Sequence, residues 1–184
     1  MTKRLLDPKS SALLVIDIQE KFVGIVKDCA LLEKRARILV QAAGILGVPI
    51  VVSEQYPKGL GPTVSGVRDS LPEGSVVLDK TAFGCLGDAG IKAEIAKLGK
   101  KQILVCGLET HVCVNQTVFQ LLEEGYEVHL AVDALACRDE KNKEIGLRKM
   151  EQGGAIPSCS EMAIFEWMGR SKHENFKELQ ALIK

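Results

Sequence analysis

The chain has 184 residues, 46% of them hydrophobic, 26% charged and 4% aromatic, a composition ordinary for a globular protein with one substantial core. Lysine and arginine total 24, as do aspartate and glutamate, so no net charge draws the chain to nucleic acid or to an anionic membrane surface. No apolar run approaches the roughly 20 residues that a spanning helix requires.

In chain order, short β-branched runs alternate with longer amphipathic segments. The opening MTKRLLDPKSSALLVIDIQ sets basic residues before an apolar run, as a leader peptide does. That run is short, interrupted by Asp17 and followed by no small-residue cleavage site, so ALLVID (12–17) reads as a first strand and the expected location is cytoplasmic. A helix is predicted over 31–47, then a second strand PIVVSE (49–54). A long Gly- and Pro-bearing loop, QYPKGLGPTVSGVRDSLPEG, leads to a third strand, SVVLDK (75–80). Helical periodicity over 87–99 precedes the fourth strand, KQILVCG (101–107). A helix at about 111–124, a strand YEVHLAV (126–132) and a helix near 139–152 follow. GAIPS (154–158) suits a sixth strand, and 160–168 and 174–183 read as helices. Strands apolar on both faces and separated by helices imply a mainly parallel six-stranded sheet in a three-layer α/β/α fold. No repeat or linker divides the chain, so residues 1–184 are expected to form a single domain.

The six cysteines, at 29, 85, 106, 113, 137 and 159, form no CxxC pair, and a chain this rich in core residues does not need disulfide staples. His111 and Cys113 stand two apart, a spacing that points them to opposite sides of a helix and disfavours zinc. The turn after the first strand, DIQEKF, carries no GxGxxG, and no P-loop pattern occurs. His129 falls inside the fifth strand and His173 in the polar SKHENF, so neither is a natural partner for a catalytic thiol.

Folds of this class bind ligands beyond the carboxyl ends of their strands. Those ends carry Asp17, with Gln19 just after it, then Ser53 and Glu54, then Asp79 and Lys80, then Gly107 followed by Cys113, and Asp133. Singly, each has an ordinary explanation: Asp17 as a helix cap, Lys80 as a solvated cation, Cys113 as core packing. Together they supply a thiol, an ammonium and a carboxylate on one rim. A thiol attacks only as thiolate, a form that a helix N-terminus, a nearby ammonium and a basic carboxylate each promote.

DIQEKF, LDKTAFGC and GLETHVCV, in this order and at this spacing, resemble the isochorismatase-like, or cysteine-hydrolase, superfamily over about residues 10–165. SEQYPKGLGPTV is similar to the subgroup of isochorismatase domain-containing proteins. The resemblance implies a Cys113-Lys80-Asp17 triad. Cys113 would attack a carbonyl carbon, Asp17 would shuttle the proton, and Lys80 would favour the thiolate and hold Asp17. Gln19 and Phe83 would orient or pack on substrate, and Phe22 would be core. The resemblance further implies a cis peptide between Leu108 and Glu109, which would let the Glu109 amide join that of Cys113 as the oxyanion hole.

Where nicotinamidases of the superfamily carry an Asp-x-His metal motif, this chain has Glu54, Gln55 and Tyr56, so no metal and no cofactor are expected. Cys113 favours cleavage of an amide-like C–N bond. Enol-ether hydrolysis by Asp17 and Lys80, or a non-catalytic binding role, remain as alternatives. The partners expected are a small-molecule substrate and further copies of the chain, as a dimer or larger, with neither nucleic acid nor membrane. Met162, Ile164, Phe165, Trp167 and Met168 exceed one helical stripe, fitting either self-association or cover for a sheet edge.

Overall fold

Each of the six apolar runs forms a strand of one parallel sheet in the computed structural model, which describes residues 5–184. In chain order the elements are β1 (Ser11–Ile16), α1 (Cys29–Leu46), β2 (Ile50–Gln55), α2 (Pro57–Leu60), α3 (Ser65–Arg68), β3 (Val76–Lys80), α4 (Ala89–Lys97), β4 (Gln102–Gly107), α5 (Asn115–Glu123), β5 (Glu127–Leu135), α6 (Glu140–Gln152), β6 (Ile156–Ser158), α7 (Ser160–Met168) and α8 (Phe176–Ile183). The strand order is β3-β2-β1-β4-β5-β6, and every adjacent pair is parallel.

Side chains on a strand alternate between faces, so a continuous apolar run feeds two cores. Leu13 and Val15 pack beneath α1 and α7, with Leu39, Ala43 and Trp167. Leu14 and Ile16 face the opposite layer, with Ile91, Ile95, Val118 and Leu121 of α4 and α5. A smaller cluster seats Leu179 of α8 against Ile38 and Ala42 of α1 and Ile164 and Met168 of α7. The apolar surplus after residue 158 thus divides: Ile164, Trp167 and Met168 are buried, whereas Met162 and Phe165 remain exposed.

Three segments depart from the sequence reading. The predicted 55–74 loop contains the one-turn helices α2 and α3. β5 continues to Leu135, three residues past its predicted end, because its far end rejoins β4 at Gly107 after a register irregularity. The segment expected as one helix from 111 opens instead with a widened turn, Thr110–Val114, in which Val114 N–H reaches back five residues to the Glu109 carbonyl at 3.2 Å. Thr110 is tethered elsewhere: its N–H and its hydroxyl both donate to the Ala136 carbonyl, at 3.0 and 2.9 Å. That tether holds the first turn out of α-helical register.

From β1 the chain steps outward to β2 and β3, and from β4 it steps the other way, so the switch point lies between β1 and β4. There the backbones run close: Leu108 N–H donates to the Ile16 carbonyl at 2.9 Å. Gly107 has φ +127°, and a Cβ at this position would overlap the Ile16 backbone, so both conformation and space require glycine.

Candidate active site

Asp17 follows β1 directly, and its left-handed φ of 53° turns the chain sharply off the strand. It caps no helix. Its carboxylate is buried and tied sideways across the sheet. Oδ1 accepts the Ser53 hydroxyl at 2.7 Å, and Oδ2 faces the Lys80 ammonium at 2.7 Å. That second contact is an ion pair rather than an aligned hydrogen bond, so Oδ2 retains accepting capacity.

Lys80 closes β3, two strands from β1, and its side chain is completely buried. Besides Asp17, its Nζ donates to Gln55 Oε1 at 2.5 Å and to the carbonyls of Phe83 at 3.0 Å and Ala82 at 3.2 Å. A buried ammonium is costly without such partners. Burial opposes its charge, but the Asp17 carboxylate more than offsets this and holds the Lys80 pKa above its ordinary value. Burial in turn pushes the Asp17 carboxyl up, against the pull of Lys80, Ser53 and Cys113. With an ammonium at contact distance, we take the pair as ionised.

Cys113 sits in the widened turn ahead of α5, buried among the residues of the α4–α5 layer and beside Asp17. Lys80 does pull toward the Cys113 thiolate, as expected, but its effect is outweighed. Burial first, then the Asp17 charge, push the thiol up to about 12, and Lys80 offsets only part of this. The turn is not the first turn of an α-helix, and the Lys80 charge is already matched by Asp17. At neutral pH the resting group is therefore a thiol beside a carboxylate.

The Leu108–Glu109 peptide is cis. Among the described residues the Glu109 N–H meets no protein acceptor, while its carboxylate is held by Arg138 through Nε at 2.9 Å and Nη2 at 3.0 Å. Burial works against that carboxylate, but the Arg138 hydrogen bonds prevail and lower its pKa. The fork anchors the loop through the Glu109 side chain, while the Glu109 carbonyl accepts the Val112 and Val114 N–H groups at 3.0 and 3.2 Å.

Two expectations for substrate contacts separate. Phe83 is exposed, and its carbonyl belongs to the Lys80 cradle, so the ring is available at the rim. Gln19 is fully buried with its amide committed: Nε2 donates to the Gln55 and Gly61 carbonyls at 3.0 and 2.6 Å, and Oε1 accepts Gln55 N–H at 2.8 Å. Gln19 thus braces the 55–61 loop, with both amide hydrogens and one lone pair of Oε1 already in use.

Glu54 is likewise occupied, accepting the N–H and hydroxyl of Thr63 with Oε1, each at 2.7 Å. His129 pairs with Glu127 at 3.0 Å, and His173 accepts Asn175 N–H at 3.1 Å. Sequence reasoning assigned no role to Ser53 and saw Gln55 only as a substituted motif position. The signal was their spacing: two apart at the end of β2, they share one face, and β2 lies between the strands of Asp17 and Lys80.

A doubly covered parallel sheet with a buried carboxylate, ammonium and thiol at its switch point defines a three-layer hydrolase fold. The Isochorismatase domain profile matches residues 11–162, and the chain belongs to the isochorismatase family. Isochorismatase domain-containing protein 2 of Bos taurus is 38% identical over 96% of this chain and 84% of its own length. The secreted isochorismatase effector Isc1 of Phytophthora sojae is 37% identical over 100% and 90%. The solved structure of MAR1 ribonuclease from Caenorhabditis elegans is 40% identical, covers 97% of this chain and 92% of that one, and superposes with a TM-score of 0.92.

Proposed function

We propose that the chain is a cysteine hydrolase that cleaves a small amide-like C–N bond through a thioester on Cys113, with Lys80 and Asp17 completing a triad. The observation that carries this reading is the buried Asp17–Lys80 pair at 2.7 Å, with Asp17 Oδ2 accepting no aligned hydrogen bond and the Cys113 thiol beside it. The thiol proton passes to Asp17 as Sγ attacks the substrate carbonyl carbon, so no free thiolate need accumulate. The Glu109 and Cys113 amides stabilise the tetrahedral oxyanion, each worth ~3 kcal/mol by analogy with other hydrolases. Collapse breaks the C–N bond, and Asp17 returns the proton to the leaving amine. Asp17 then takes a proton from water, hydroxide attacks the thioester, and the acid departs as Cys113 is reprotonated. Lys80 keeps Asp17 anionic between steps. Phe83 packs on substrate at the rim.

Intact-mass detection of an acyl adduct across a panel of small amides tests the reading. Cys113→Ala should lose both adduct and turnover, and Asp17→Asn should lose turnover. Enol-ether cleavage that survives Cys113→Ala would favour the alternative mechanism, and a protein that binds but never turns over would be the non-catalytic alternative. We also propose a reducing, cytoplasmic location, on the ground of six free cysteines, and a homo-oligomer contacting through Met162 and Phe165.

The C. elegans relative favours a second reading, ribonuclease activity. Metal-independent RNA cleavage needs a cation able to reach a phosphate, and here Lys80 is buried, donates to three acceptors and is paired with Asp17. The balanced charge offers no general attraction for a polyanion. We therefore hold to the small substrate. Cleavage of a labelled RNA, lost in Lys80→Met, would reverse the order.

A further inference from the structure

β2 separates the two charged members of the proposed triad: Ile16 pairs with Ser53 on one side, and Gln55 with Lys80 on the other. Lys80 must therefore reach over β2 to meet Asp17, past the residues at 53 and 55. Ser53 is fully buried, and its hydroxyl donates to Asp17 Oδ1 at 2.7 Å. Behind it lies a second buried thiol. Cys85 Sγ donates to Ser53 Oγ at 3.5 Å, and its own backbone N–H donates to Thr117 Oγ1 at 2.9 Å. Thr117 in turn donates to the Cys113 carbonyl at 2.7 Å. A hydroxyl has one hydrogen to give. With Cys85 donating to its oxygen, the Ser53 hydrogen is directed to Asp17.

We propose that Ser53 is a positioning residue of the hydrolase site, fixed by Cys85, and that it determines which oxygen of Asp17 receives the Cys113 proton. The proposal rests on the cysteine-hydrolase reading and deepens it. Ser53 occupies Oδ1 and prevents the carboxylate from rotating, which leaves Oδ2 between Lys80 and the thiol as the proton acceptor. The same hydrogen bond favours the anion, so Ser53 keeps Asp17 basic at lower pH than burial alone would allow. The chain Cys85–Ser53–Asp17 thus gives the fully buried Cys85 a use that requires neither oxidation nor contact with substrate.

The test reads the rate of Cys113 alkylation by iodoacetamide from pH 4 to 9, with peptide mapping to separate it from other thiols. Wild type should show an acid limb where Asp17 titrates. Ser53→Ala should move that limb up by about one pH unit, the scale of one charge-assisted hydrogen bond, and Ser53→Thr should return it. Cys85→Ala should move it the same way by less, because the hydroxyl then loses its director but not its hydrogen. Ser53→Cys, a milder change with a weaker donor, should give an intermediate limb and serves if the alanine variant does not fold. A folded Ser53→Ala or Ser53→Cys protein whose profile superimposes on wild type, or a folded Ser53→Thr protein that fails to restore it, overturns the proposal. Asp17→Asn tells the two readings apart. If it leaves the profile unchanged, the base itself is wrong, whereas loss of the limb in Asp17→Asn with no shift in the Ser53 variants defeats only the positioning role.

Discussion

Lys80 and Asp17 leave strands that never touch, yet their charged groups meet at 2.7 Å, completely buried, above the strand between them. Removing one member of such a pair strands the other. Lys80→Met should destabilise the fold by about 3–5 kcal/mol, and the double variant Lys80→Met/Asp17→Asn by less than the two single losses combined. Gln55→Met, which deprives the ammonium of an acceptor, should cost about 1–3 kcal/mol. Urea unfolding of the four variants beside wild type checks these values, and strict additivity in the charge pair would contradict its coupling.

Alkali should unfold this protein early. The Cys113 thiol is ordinarily 9.0 and is held at about 12 in the fold, so between these values the unfolded chain releases a proton that the native chain retains. Native stability therefore falls as pH rises through that window, by up to about 1.4 kcal/mol per unit for each such thiol. Cys106, fully buried and also raised to about 12, adds a similar slope. Lys80, raised above 10.5, extends the loss at higher pH. Unfolding midpoints measured from pH 8 to 10.5 should decline, and Cys113→Ala should decline less steeply than wild type.

Thiol labelling should follow exposure before it follows chemistry. Cys159 is the one cysteine that is not buried, so limiting iodoacetamide at pH 7 should label it first. This reverses the order that an activated resting thiolate at Cys113 would give. Among the five buried cysteines Cys113 should lead, because Asp17 can accept its proton, and Asp17→Asn should remove that lead. Peptide mapping over a time course decides the order.

Chelation should leave acyl-adduct formation intact. The carboxylate of Glu54, at the position of the metal motif, is held by Thr63, and Tyr56 replaces the histidine ligand. Adduct yield lost after dialysis against a strong chelator and restored by zinc would count against this arrangement.

Alternating apolar runs and amphipathic segments were enough to read the α/β class, the six strands and the larger helices. The polar residues at strand ends put Asp17, Lys80 and Cys113 among the candidates, and the motif resemblance grouped them as a triad. What escaped depends on contacts distant in sequence. The widened turn at 110–114 follows from the hold of Ala136 on Thr110, and no local propensity encodes it. Ser53 and Gln55 matter because β2 is the middle strand of three, a fact of topology. Gln19 reads as a ligand-facing amide until the 55–61 loop closes over it. The thiol's protonation depends on burial, which no motif states.

Gly107 joins the tip of β4 to the tip of β1 so closely that the Asp17 and Cys113 loops are stitched into one unit. The α2–α3 connection is fastened to the residues just after Asp17, with Glu20 N–H on the Pro62 carbonyl at 3.1 Å and Val64 N–H on the Ile18 carbonyl at 2.9 Å, whereas the exposed Phe83 ring lies beyond β3. Substitution of the Phe83 side chain can remodel what the rim accepts without altering how the proton moves, because only its backbone carbonyl holds Lys80. A lineage built on this scaffold is thus free to change its diet while keeping its chemistry, and an engineer seeking a new substrate should randomise the exposed Tyr56, Lys58 and Phe83 before touching the 61–64 segment or the β1–β4 junction.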